Sequence, residues 1–178
     1  MNRIYSILRD WQRDEHGSIT IEFLLWLPLL AFWLVVSVAF FDAYKSRDDT
    51  AKAAHTLSDI MSRQVEVSNA FFDELYELQG ELLPRTPEGK WLRVTSIQYV
   101  GGVHQVQWSR AVGGGQPIVA GDIPQEIIPE MAEFDSVILT ELYVPYQPFT
   151  DWAGIDVHTW SFVLFTRPRF VSAIAKVD

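Results

Sequence analysis

Gly17 and Ser18, followed by Glu22 and Phe23, are the residues whose types and spacing bear most directly on chemistry. One candidate for that chemistry is proteolysis of the backbone followed by ion pairing. A cut after Gly17 places a free amino group on Ser18. From Ile19 to Phe41 the chain carries a single acidic residue, Glu22, and no basic one. A carboxylate in hydrocarbon costs about 2.5 kcal/mol or more and is as a rule functional or paired. An amine newly created on Ser18 of a neighbouring copy would neutralise Glu22 inside a membrane. The competing reading places Glu22 near the interface, with its stem bent back toward water.

The element that must position these groups is the run Gly17 to Phe41, GSITIEFLLWLPLLAFWLVVSVAFF. A helix rises 1.5 Å per residue, so about 20 apolar residues cross a hydrocarbon core of roughly 30 Å. The run is long enough to span with some tilt. A core helix of a soluble domain is rarely apolar on every side for such a length. Pro28 interrupts the run, which membrane helices tolerate when neighbours satisfy the freed carbonyl. Trp26 and Trp33 lie within it and mark no clear aromatic belt.

With these residues in place, the chain resembles a known family. Gly17-Ser18-Ile19-Thr20-Ile21, then Glu22-Phe23, then an apolar run holding a proline, looks like a type IV pilin-class leader junction. "GSITIEFLLWLPLL" and the downstream "SDIMSRQ" resemble, more narrowly, the TadE-like minor pseudopilins of tight-adherence (Flp-type) pilus machinery. The likeness covers roughly the first third of the chain. Beyond it, only a β-rich domain ending in the short stretch Arg167-Pro168-Arg169 is similar. The resemblance implies a cytoplasmic leader, residues 1–17, removed at Gly17–Ser18 by a membrane aspartic prepilin peptidase. It also implies assembly with other pilins, pseudopilins and pilus assembly proteins, with Glu22 and Phe23 as the assembly motif. Residues 18–41 are then the transmembrane helix and 42–178 an extracytoplasmic domain. The localisation implied is the inner membrane, single-pass and amino-terminus cytoplasmic, with the domain periplasmic or extracellular and a place in a pilus open.

Charge and composition narrow the function classes. The formal charge of the 178-residue chain is −9. Arg3, Arg9 and Arg13 cancel Asp10, Asp14 and Glu15 in the leader, so the acidity belongs to the rest. Such a domain repels phosphates and is no nucleic-acid binder. Without cysteine there are no disulfides and no thiolate metal sites; this leaves the compartment open. Arg3, Arg9 and Arg13 before the anchor nearly balance Lys45, Arg47 and Lys52 after it, so the charge rule favours amino-terminus-in only slightly. A rival for the same stretch is Ser37-Val38-Ala39, a small-x-small triplet whose cleavage would start the protein at Phe40. The apolar run is longer than that of a secretory signal and carries Glu22, which weighs against it.

The fold expected is α+β, a long amino-terminal helix on an antiparallel sheet of about four strands. The helix continues from Asp42 to about Gln64, with Ala51, Ala54, Leu57, Ile60 and Met61 as a stripe that lies on the sheet. Ser68 or Asn69 caps a second helix with Phe71 or Phe72, Leu75 and Leu78 on one face and a stop at Gly80. Gly101-Gly102 forms a two-residue hairpin. Its register sets Tyr99 against His104, Gln98 against Gln105, Ile97 against Val106, Ser96 against Gln107 and Thr95 against Trp108. One face is then apolar and the other polar, as in a sheet covered on one side. The same register opposes Arg93 and Arg110, so the ladder should fray or bulge there. After a loop of glycines and prolines from Val112 to Pro129, with a short helix near Gln125 to Ile128, come strands at Val137–Val144 and Trp160–Phe165. Pro145 and Pro148 close the former.

No catalytic constellation is evident. His16, His55, His104 and His158 are scattered, without metal spacing. Asp48-Asp49 and Asp73-Glu74 are adjacent, and adjacent residues on a helix point apart. The expectation is a structural protein without cofactor or metal, not an enzyme. The alternative is an uncleaved, membrane-tethered module that binds a ligand or partner through the Val112–Pro129 loop.

Overall fold

The computed structural model describes residues 18–119, 128–150 and 152–177. The leader, residues 1–17, and most of the helix expected near Gln125 to Ile128 lie outside the described residues. Helix α1 (Ser18–Ser62) is continuous over 45 residues with Pro28 inside it, a rod of about 68 Å. Its amino-terminal half is bare. Every large side chain from Ile19 to Leu34 among Ile, Leu, Phe and Trp is exposed. Its carboxyl-terminal half is packed along Ala39, Ala43, Thr50, Ala54, Leu57 and Met61. Those positions recur at steps of three, four or seven, which return to one side of a helix. The expected stripe is therefore present, with Ala51 and Ile60 at its margin. The stripe starts with small residues and ends with large ones, and Ala43 lines one cleft with His158 and Trp160 of the sheet.

A short strand β1 (Glu66–Val67) follows, then helix α2 (Asn69–Leu82). Ser68 is its N-cap and its hydroxyl accepts from the Phe71 N–H, which satisfies one of the donors a helix start leaves open. Phe72 and Leu75 are its buried anchors. Gly80 does not stop it. The helix runs on to Leu82, and a Cβ at Gly80 would lie 3.1 Å from the Lys90 ammonium.

Strands β2 (Trp91–Val100), β3 (Val103–Val112), β4 (Ser136–Tyr146) and β5 (His158–Thr166) form one antiparallel sheet in the order β3-β2-β4-β5. The Gly101-Gly102 turn has φ of 62° and 80°, which glycine adopts without strain. The expected register holds from Tyr99–His104 through Ile97–Val106 and then shifts by one residue between Ile97 and Ser96. Gln107 is the extra residue of a bulge. Trp108 therefore pairs with Ser96, Ser109 with Thr95, and Arg110 with Val94. The shift corrects the expected pairs Ser96–Gln107 and Thr95–Trp108. It also separates Arg93 from Arg110, so the bulge expected from that clash sits nearer the turn.

The bulge has a second consequence. Val106 and Trp108 would share a face in a regular strand, because side chains alternate with a period of two. Here Val106 packs with Ile97, Val137 and Leu139, whereas Trp108 packs with Phe72 on the opposite face. The Trp108 indole N–H donates to the Ile174 carbonyl at 2.8 Å. The sheet is thus covered on both sides, not on one. Helices α1 and α2 cover Leu92, Val94, Ile138 and Leu142, while Ile118, Ile128 and Met131 of the β3–β4 connection cover the other face. Strand β4 is buried at nearly every position, which explains its lack of alternation. Pro145 does not end β4 but lies within it, opposite Thr159 of β5. Strand β2 does not extend that far, so no ladder bond is lost on that side.

After β5 the chain returns to the end of α1. The Arg169 N–H donates to the Ser62 carbonyl at 2.8 Å, and its guanidinium meets Asp59 at 2.5 Å. A cation and a donor at a helix carboxyl end satisfy its open carbonyls and its dipole. Strand β6 (Ala175–Lys176) then pairs in parallel with β1. Neither two-residue strand is legible in the sequence.

Candidate functional site

Three regions bear on function: the bare half of α1, its exit toward the domain, and the outer face of the sheet. At the first, Ser18 opens the helix and Glu22 lies one turn on. Glu22 and Phe23 are exposed. Gly17 lies outside the described residues, and the cut at Gly17–Ser18 has no geometry here. The one helix of the described residues long and apolar enough to cross a membrane is α1. That makes the chain compatible with single-pass anchoring.

The exit is built by Asp42 and Tyr146. The Tyr146 hydroxyl donates to the Asp42 carboxylate at 3.0 Å, directly after the last apolar residue, Phe41. Burial, and then this hydrogen bond, push the Tyr146 phenol up to about 12. A phenol raised by folding is held protonated. Its contribution to stability is whole below the unfolded value near 10 and is lost as pH rises through about 12. Ultraviolet titration should therefore show a late tyrosine step at about pH 12. Tyr146→Phe should remove that late step and lower stability by about 1 kcal/mol at neutral pH. An unchanged late step in the variant would assign it elsewhere.

Beside this exit, Phe40, Ala43, Tyr44, Arg47, Ile155, His158 and Trp160 line a cleft between α1 and β5. Further back along α1, Trp152 stacks on Phe32 with ring centroids 5.5 Å apart. The β4–β5 connection therefore reaches the apolar run itself.

On the outer face, Arg93 and Glu141 are register partners on β2 and β4. The guanidinium grips the carboxylate through two bonds of 2.5 and 2.7 Å, and a third N–H donates to the Gln116 carbonyl at 3.0 Å. The carboxylate hydrogen bond raises Arg93 further above its ordinary value. The Tyr143 phenol is also raised, first by burial and then by the Glu141 charge. Trp91 stacks on Tyr143 at 3.8 Å, and Arg93 lies over the Trp91 ring. A Cβ at Gly115 would fall 2.3 Å from that ring, so only glycine fits. The cluster pins the start of the Val112–Pro129 loop, and Ile118 and Ile128 bury its flanks. The described part of the loop covers the sheet.

Sequence reasoning placed Arg93 against the wrong partner and missed Glu141. The signal available was a lone acid inside an apolar strand, Val137 to Val144. His55 is exposed and His104 packs beside Tyr99. Among the described residues no group of three or more His, Asp or Glu side chains is placed to hold a metal ion. No family model matches the chain, and comparison with curated proteins and with solved structures finds no match either.

Proposed function

We propose that this chain is a TadE-like minor pseudopilin, made as a precursor, cut at Gly17–Ser18 by a prepilin peptidase, and used in assembling or priming a tight-adherence pilus. The observation that carries the reading is the division of α1. One rod is bare from Ile19 to Leu34 and sheet-packed from Ala39 to Met61. Such a rod holds a single molecule in lipid and later offers the same apolar surface to neighbouring rods. Glu22 near its start provides the counter-charge for a new amino-terminus. The precursor sits in the inner membrane with residues 1–17 cytoplasmic and the domain from Asp42 outside the cytoplasm.

The test is amino-terminal sequencing of protein recovered from membranes with and without an aspartic prepilin peptidase. The expected result is a chain starting at Ser18 with the peptidase and a full-length chain without it. Gly17→Leu should leave the precursor uncut. A product of mature size from that variant would overturn the cut site. Full-length chain in both preparations would favour the uncleaved, tethered binding module. A start at Phe40 would mean a secretory signal. That cut would remove Ala39, which is fully buried.

A further inference from the structure

We propose that the connection between β4 and β5 is a second membrane contact, with Phe149, Trp152 and Val157 seated in the interfacial layer of the bilayer beside α1. This rests on reading α1 as the membrane-spanning helix. Phe149, Trp152 and Val157 are 57%, 55% and 66% exposed, three large apolar side chains of one connection left mostly uncovered. The stack of Trp152 on Phe32 ties their connection to the apolar run. Phe32 precedes Phe41 by about 13 Å of helix rise. Counted from Ile19, about 20 residues fill the hydrocarbon and set its far boundary near Val38. Phe32 is then about 9 Å inside that boundary, within the roughly 5–10 Å to which interfacial segments bury their apolar side chains.

The chemistry of the connection sets the depth. Irregular backbone is not tolerated in open hydrocarbon, because its polar groups go unsatisfied. Asp151 and Asp156 belong to the same connection, and Asp156 is exposed. A shallow seat follows, with apolar side chains inserted and the exposed Asp156 carboxylate at headgroup level. Tryptophan favours that layer, where an apolar ring and a donor N–H are both accommodated. Lys45 and Arg47, a turn past Phe41, stand where lipid phosphates lie. Together with the Tyr146–Asp42 bond, this contact would hold the domain at one orientation to the membrane.

The chain has no cysteine, so single cysteines can carry a nitroxide in the full-length protein. Leu25→Cys reports the anchor, Phe149→Cys the connection and Val103→Cys, at the hairpin, the aqueous side. The protein is reconstituted in phosphatidylcholine–phosphatidylglycerol vesicles. Collisions with dissolved oxygen and with a water-soluble nickel chelate are compared. The expected result is an excess of oxygen collisions at positions 25 and 149 and of nickel collisions at 103. A nickel-accessible label at 149 beside a lipid-like label at 25 overturns the second contact alone. Shielding of 149 from both probes also overturns it, since a protein surface then covers the loop. A nickel-accessible label at 25 overturns the anchor and this inference together.

Discussion

Glu141→Ala is expected to lower the unfolding free energy of the α+β domain by about 3–5 kcal/mol. Most domains hold only about 5–15 kcal/mol in total, so the variant should be close to unfolding. Side-chain exposure of 8% for Glu141 and 19% for Arg93 sets that scale. Removing the carboxylate leaves the guanidinium desolvated on a strand with no counter-charge. It also frees Arg93 from the geometry that stacks it over Trp91 and holds the Gln116 carbonyl. The loss should spread to the Trp91–Tyr143 stack and to the start of the β3–β4 connection. The pair itself is another matter. Burying two charges costs nearly as much as their attraction returns, so Arg93→Met with Glu141→Leu should recover most of the loss. Denaturant unfolding of the single and double variants checks both statements. A loss under about 1 kcal/mol for Glu141→Ala would place the pair with ordinary surface ion pairs.

That cluster also shows where sequence reading stops. Helix α1, the cap at Ser68 and the Gly101-Gly102 turn were legible because each rests on local chemistry: apolar periodicity, a side-chain acceptor, a positive φ. Near the turn the register was legible for the same reason. It failed past Ile97 because the bulge at Gln107 answers to tertiary demands. Trp108 is needed under α2 and Val106 is needed on the other face, and no regular strand delivers both. Arg93 and Glu141 are 48 residues apart, and only the strand order β3-β2-β4-β5 brings them together. Gly80 and Pro145 misled because both residue types act as breakers only where a backbone donor or a Cβ is required. At the candidate site, the run from Ile19 to Leu34 was legible as one apolar helix, and the motif reading of Ser18 to Phe23 stays a proposal. The reach of the β4–β5 connection back to Phe32 was not, since Trp152 lies in a stretch without periodicity.

The second large effect is expected at Glu22. Glu22→Ala should leave leader removal intact and reduce assembled protein by roughly 50- to 100-fold. That factor corresponds to about 2.5 kcal/mol, the lower estimate for a charge left alone in hydrocarbon. After the proposed cut, Ser18 would open the helix with an ammonium group, and Glu22 follows one turn later, about 6 Å along the axis. The carboxylate can meet this amine within its own chain while the molecule is single, and the amine of a neighbour once rods pack side by side. Alanine removes the carboxylate and leaves the ammonium as the uncompensated charge in the packed state. The same change makes the isolated helix more comfortable in lipid, so the variant should accumulate as mature, membrane-held protein. Glu22→Gln separates charge from hydrogen bonding: it keeps an acceptor but no charge, and should assemble nearly as poorly as alanine. Glu22→Asp keeps the charge on a stem one methylene shorter and should retain part of the assembly. Pairing of Ser18 with Glu22 is excluded if Glu22→Ala enters filaments at the level of the parent protein. Processing that fails in the same variant would instead move Glu22 into peptidase recognition, because the helix from Ile19 onward would still insert without it.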